Sequence, residues 1–211
     1  GNPAGDLGLT GTMAEGGLVA AAYGATFAII AVALISGAVA DRFKFVTWCV
    51  FVPVWTTVVY APLAYMVWGG GLLSADGAIG ARLGEALDFA GGLVVHISAG
   101  VAALVLALLL GKRHGFGVDP GHRPHNVPFT MLGAALLWFG WFGFNGGAAG
   151  GVDELGLIWV ATLAAGAAGM LGWVFVEWLR RGRPTSIGTA SGIVSGLVAI
   201  TPACAYVSPL G

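Results

Sequence analysis

Residues 87–113 read LDFAGGLVVHISAGVAALVLALLLGKR, and this stretch decides what kind of chain this is. From Phe89 to Gly111 there is no Asp, Glu, Lys or Arg, and at 1.5 Å per residue the run reaches about 34 Å, enough to cross a hydrocarbon core of about 30 Å. The stretch is expected to be a membrane-spanning helix with His96 inside the bilayer. Asp88, Gly92, His96 and Gly100 recur at i+4 spacing, which predicts one slowly winding stripe with small residues on either side of the imidazole. An imidazole in lipid needs a partner, so His96 reads either as interhelical hydrogen-bond glue or as a group on a conduction pathway. Asp88 precedes the apolar run as an N-cap does, where a carboxylate satisfies free N–H groups and complements the helix dipole.

The rest of the chain repeats the pattern. The 211 residues are 57% hydrophobic and only 9% charged, with 37 glycines and eight tryptophans, and a mean hydropathy of +0.88. So few charges cannot cover a soluble domain, whereas Gly, Ala and Trp suit close helix packing and interfacial anchoring. Apolar runs at about 16–40, 45–68, 89–111, 127–146, 155–178 and 186–207 predict an all-α polytopic membrane protein with six transmembrane helices. Pro53 and Pro62 should kink the second span. Residues 69–87 read as a loop with a short helical turn over 81–86, and residues 1–15, 112–126 and 147–154 as further connections.

All of the nine Lys and Arg residues except Arg82 fall in the loops after spans one, three and five, which places those loops in the cytoplasm and both chain ends outside. The net charge of −1 argues against a nucleic-acid partner. Cys49 and Cys204 show no disulfide or metal spacing, and His114, His122 and His125 lie on a Gly/Pro-rich loop without the acidic or Cys partners a metal site needs. Glu177 has Arg181 at i+4 and is expected to form a surface ion pair beside the headgroups. No HExxH, GxSxG or Walker A motif is present, so an enzyme is not expected. The chain opens on Gly1, shows no signal-peptide pattern, and reads as a fragment.

A second cluster is aromatic. Trp138, Trp141, Phe142 and Phe144 crowd LLWFGWFGFNGGAAG, and Phe144 is followed by Asn145, Gly146 and Gly147, polar and permissive backbone that lets a ligand approach. Trp68 precedes Gly69, Gly70 and Gly71 at the outer end of span two, where an indole face can attract a cation. An interfacial aromatic belt is the plainer account of the tryptophans.

Asp88 to Gly100 continuing through Gly111-Lys112-Arg113 resembles the signature of the ammonium transporter (Amt) family of the Amt/Rh group. MVWGGGLL at 66–73, RPHN at 123–126, GWFGFNGG at 140–147 and SGIVSGLVAITPAC at 191–204 agree with it. The resemblance implies an eleven-span inverted-repeat channel fold, of which this chain matches spans three to eight; residues 1–211 would be a partial transmembrane domain truncated at both ends. It implies that Trp68 lines an external recruitment site, that Phe27 and Phe144 are stacked rings beneath it, and that His96 is the first of a pore histidine pair whose second member lies beyond Gly211. Asp88 and Asn145 would be structural residues near the site. Where the family has a serine hydroxyl at the recruitment site this chain has Ala148, a departure that weakens external ammonium binding.

The implied function is ammonium uptake: the ion is recruited at the aromatic mouth, loses its proton, and passes as ammonia, since a bare cation in an apolar channel would cost tens of kcal/mol. A homotrimer in the cell (inner) membrane, with no cofactor and with a PII-type regulator at the 112–126 loop, is implied in the same way. The competing function is an ammonium sensor coupled to a signalling module. On either reading, residues 1–211 alone are not expected to conduct selectively.

Overall fold

The computed structural model describes Leu9 and residues 16–113, 115–118 and 124–210. Most of the opening loop, together with His114, Asp119, Pro120, His122 and Arg123 of the 112–126 loop, lies outside the described residues, and with it much of the metal and regulator reading of that loop. Among the described residues the structure is helical without strands. Five helices have the length and apolarity of membrane spans: Gly17–Val39, Phe45–Trp68, Gly92–Leu110, Val127–Gly146 and Val152–Arg181. The sixth apolar helix, Ser186–Ile200, has 15 residues and reaches only about 22 Å. Pro202 lacks an N–H to continue it, and residues 201–206 carry the run on as turns. The chain divides into two compact units, one made of Gly1–Ala86 with Leu93–Phe116 and the other of Leu87–Gly92 with Gly117–Gly211.

In the first unit, α1 (Gly17–Val39) packs along α5 (Ser98–Leu110). The buried residues of α1 are Phe27, Ala31, Ile35 and Val39, every fourth position, while Val19 and Ile29 stay exposed as lipid-facing side chains would. The turn into α2 (Phe45–Trp55) is short because Asp41 adopts a left-handed conformation at φ 61°, which Asp tolerates better than most residues. Arg42 then donates to the carbonyls of Ala38, Ala107 and Gly111, closing the C-terminal ends of α1 and α5 together. Those two helices therefore run parallel. Asp41 adds an ion pair to Arg113 at 3.2 Å.

The second span is not one α-helix. A π turn, Thr56–Tyr60, separates α2 from α3 (Ala61–Trp68), with Ala61 N bonding Thr56 O. Pro53 and Pro62 bracket it. Each proline withholds a donor and crowds the preceding turn, and a widened turn between them accommodates both. A loop containing the one-turn helix α4 (Gly80–Leu83) follows, shorter than the turn expected over 81–86.

The central stretch also departs from the continuous helix expected. Residues 89–91 are bends, the helix starts at Gly92, and Gly92–Ile97 form a second π turn before α5. A π turn holds an extra residue, so the i+4 stripe falls out of phase: Gly92 is buried against the Pro202 ring, whereas Gly100 is exposed with open space beside it.

In the second unit, α6 (Val127–Gly146), α7 (Val152–Arg181) and α8 (Ser186–Ile200) pack on one another. The α7–α8 crossing is made of glycines. A Cβ on Gly196 would overlap Ala165 O, and one on Gly169 would run into Gly192 and Gly196, so the backbones touch. That is how small residues let membrane helices approach when no hydrophobic drive exists between them. Gly166 leaves room for the Trp138 indole of α6. Side-chain bonds complete the unit: Trp141 Nε1 donates to Thr201 Oγ1 at 2.8 Å, and Asn145 Nδ2 to Thr162 Oγ1 at 3.0 Å.

Glu177 differs from its sequence reading. The ion pair to Arg181 exists at 3.5 Å, but the carboxylate is 8% exposed rather than at the surface. It accepts from Thr185 N at 2.8 Å and from Thr185 Oγ1 at 2.9 Å. Thr185 Oγ1 in turn accepts from Gly188 N at 3.0 Å as the N-cap of α8. The short RRGRP connection brings the start of α8 back against the last turn of α7, so the acid meets a cap instead of the headgroups.

Candidate functional site

Within the first unit the structure joins two of the expected residues. Trp68 is the last residue of α3 and 43% exposed, and Phe27, 5% exposed, lies edge-on to its indole with ring centroids 5.7 Å apart and planes at 88°. Tyr23, one turn earlier on α1, meets Phe27 edge-on at 4.8 Å. The result is a three-ring cluster in which buried Phe27 stands between the exposed Trp68 indole and the half-buried Tyr23 ring. Edge-to-face contacts leave one ring face of each pair uncovered by its neighbour, and a ring face is where a cation binds. The loop after Trp68 can leave the helix at once because Gly69 occupies a position where a Cβ would strike the Tyr65 ring.

His96 sits in the second π turn and is 8% exposed, beside the fully buried Val94 and Val95. Glycine, valine and leucine on either side give it an apolar setting, and the π geometry sets its direction apart from that of an ordinary i+4 neighbour. Arg42 fixes the opposite end of the same helix, so the imidazole stands toward the end away from the basic turn.

In the second unit Phe144, Asn145 and Ala148 gather at the C-terminal end of α6 and the turn beyond it. Phe144 is half-buried and tilted against Trp141, centroids 5.7 Å apart at 60°. Asn145 is fully buried and bound to Thr162, which fixes the last turn of α6 against α7. Gly146 leaves space for Leu155, and the Ala148 amide reaches Asn145 O at 3.4 Å. Asp88 Oδ1 accepts from Gly91 N at 2.8 Å and Gly92 N at 2.6 Å, at the start of the histidine helix. Phe89 N bonds Pro202 O at 3.0 Å and its ring meets Tyr206 edge-on, so this short piece is held by the turns after α8.

Sequence reasoning overlooked Tyr23, Thr162 and Thr201. Tyr23 had a signal, its i,i+4 spacing to Phe27 on one helix face; the threonines had none, because their partners lie far along the chain.

With this geometry in hand, comparison with known proteins is informative. A model of the Ammonium Transporter Family matches residues 5–211. An ammonium transporter of Mycobacterium tuberculosis is 55% identical over 192 residues, covering 90% of this chain and 40% of that protein. One of Aquifex aeolicus is 51% identical over 188 residues, 88% of this chain and 41% of that protein. The chain therefore spans about two fifths of the length of these curated relatives. Among solved structures, Saccharomyces cerevisiae Mep2 superposes with a TM-score of 0.76 at 40% identity, over 87% of this chain and 41% of that one. A sensor Amt protein gives the same TM-score at 32% identity, over 87% of this chain and 46% of that one. The all-helical multi-pass fold, the matched family model and these identities agree, and the chain belongs to the ammonium transporter family, whose members are membrane transporters and not enzymes.

Proposed function

We propose that the protein of which this chain forms part takes up ammonium across the cell membrane, with Trp68 and Phe27 at the recruiting mouth and His96 on the conduction path. The observation that carries this reading is the Tyr23–Phe27–Trp68 ring cluster, in which buried Phe27 meets the exposed Trp68 indole, within the unit that also holds His96. An ammonium ion held on these rings keeps part of its attraction without water. Crossing an apolar interior as an ion would cost tens of kcal/mol, whereas neutral ammonia crosses once the proton is left behind. Imidazole suits the next step because its two nitrogens can accept at one side and donate at the other. The family resemblance adds Phe144 as a recruiting residue, and Asp88 and Asn145 hold the backbone of their own unit. Ala148 offers no hydroxyl, so recruitment depends on the rings.

In this reading the Arg42 end is cytoplasmic, both chain ends are outside, and a homotrimer and a PII-type regulator at the 112–126 loop are the expected partners. The fold neighbour named as a sensor supports one alternative, that the same ammonium site reports to a signalling module.

Methylammonium uptake by cells expressing the full-length protein tests the assignment. His96→Ala should abolish proton-coupled current, and Trp68→Leu should raise the apparent KM by about tenfold, equivalent to the 1–2 kcal/mol of one cation–π contact. Unchanged current in His96→Ala would remove the relay role.

A further inference from the structure

The rings near the end of α6 do not stand on apolar packing alone. Trp141 is 3% exposed, and its indole N–H reaches the hydroxyl of Thr201, the residue just past α8, at 2.8 Å. That hydroxyl is itself committed. Thr201 Oγ1 donates to Leu197 O at 2.7 Å, so its proton is spent there and its lone pairs are left for the indole. Thr201 is fully buried, and solvent does not replace the bond. The turn that carries it is gripped through the next residue: Pro202 O accepts from Phe89 N at 3.0 Å, and the Pro202 ring fills the space that a Cβ on Gly92 would need.

From the pinned indole the order passes to Phe144, three residues on along α6. Phe144 is half-buried, lies against Trp141 with ring centroids 5.7 Å apart and planes at 60°, and packs on the cluster of Trp141, Ile193 and Leu197. The torsion that swings an indole about its Cβ–Cγ bond has a broad minimum, so the bond to Thr201, and not rotamer preference, sets the plane of the wall that Phe144 rests on.

We propose that Thr201 is a positioning residue for ammonium recruitment, holding Trp141 so that Trp141 fixes the ring plane of Phe144. The proposal rests on the transport reading, in which Phe144 is a recruiting residue. A cation is attracted over the face of a ring and not at its edge, so a ring free to tilt spends part of its time presenting the wrong side. Ala148 supplies no hydroxyl to compensate, which makes the aim of the ring matter more in this chain. The same short turn holds the Asp88–Gly92 segment through Pro202, so one base carries both the aromatic end of α6 and the lead-in to the histidine helix.

The test is methylammonium uptake by the full-length protein in proteoliposomes. Thr201→Val, which keeps the shape and removes the acceptor, should raise KM by about threefold, the weight of one aromatic-pair geometry, and Thr201→Ser should restore it. In a Phe144→Leu background, Thr201→Val should add nothing. Glu177→Ala, which destabilises the opposite end of α8, should leave KM in place, because a loss of stability alone changes the amount of folded protein and not its affinity. An unchanged KM in Thr201→Val, failure of serine to restore it, an equal shift in Glu177→Ala, or a full Thr201→Val effect without Phe144 would each overturn the proposal. If the wild type takes up no methylammonium, or Phe144→Leu leaves KM unchanged, the transport reading of Phe144 fails. The positioning is then judged by 19F NMR of 4-fluorophenylalanine placed at position 144: a resonance broadened or shifted by Thr201→Val and restored by Thr201→Ser upholds it, and an unchanged resonance overturns it.

Discussion

Replacing Glu177 by alanine should destabilise the protein by about 3 kcal/mol, more than any exposed ion pair is worth. The figure comes from the contacts. The carboxylate takes the Thr185 N–H at 2.8 Å and the Thr185 hydroxyl at 2.9 Å, and a hydrogen bond to a charged group contributes about 1.5–3 kcal/mol when buried. Truncation leaves the Thr185 amide without an acceptor and frees the hydroxyl that caps α8 through Gly188, while the Arg181 contribution is discounted because that side chain is 73% exposed. Glutamine keeps the volume and one acceptor, so Glu177→Gln should lose about half as much. The assay is the apparent unfolding midpoint of the detergent-solubilised protein at one fixed scan rate, since such unfolding is commonly irreversible. Glu177→Ala should lower it by about 5–10 °C. Thr185→Val tests the route: if the acid acts through the cap, the double variant should fall short of the summed single effects by about 1–2 kcal/mol. A Glu177→Ala midpoint within about 1 °C of wild type, or full additivity with Thr185→Val, would refute the reasoning.

Three further outcomes are expected. Arg42→Lys should destabilise by about 1–2 kcal/mol in the same assay, because one ammonium cannot span the carbonyls of Ala38, Ala107 and Gly111 as the forked guanidinium does. Gly196→Ala should destabilise by about 1–3 kcal/mol or reduce expression, since the added methyl meets Ala165 O at the α7–α8 crossing. Thr201→Val, which leaves the buried Trp141 Nε1 without its acceptor, should lower the midpoint more than Trp141→Phe, which removes the donor as well.

What the sequence made legible follows from how each feature is encoded. The apolar runs lie in contiguous residues, so the helical membrane class and the approximate span limits can be read directly. The joining of Phe27 to Trp68 was expected only through the resemblance, because they sit on different helices and no local pattern links them. The π turns were out of reach for another reason: periodicity assumes 3.6 residues per turn, and GLVVHI carries nothing in its composition that announces a wider one. Glu177 was misjudged because i+4 spacing describes one helix, whereas its main partner belongs to the start of the next. The shortness of α8 was hidden by the apolar residues after Pro202, which extend the hydrophobic run without extending the helix.

The π turn at Gly92–Ile97 coincides with the place where the chain passes from one compact unit to the other, between Gly92 and Leu93. A helix is a screw thread, and a π turn is one residue of extra thread stored in it. Upstream the thread is gripped by the Asp88 carboxylate and Pro202, downstream by the Arg42 clasp. Deleting one residue here, Leu93 for instance, need not tear either grip at once. The wide turn can shorten to an α turn, which leaves the residues before and after the deletion close to their original bearings. His96 lies on that spare length, so its bearing is set by how many residues are wound into a single turn, and selection on one insertion can aim an imidazole that no substitution would reach.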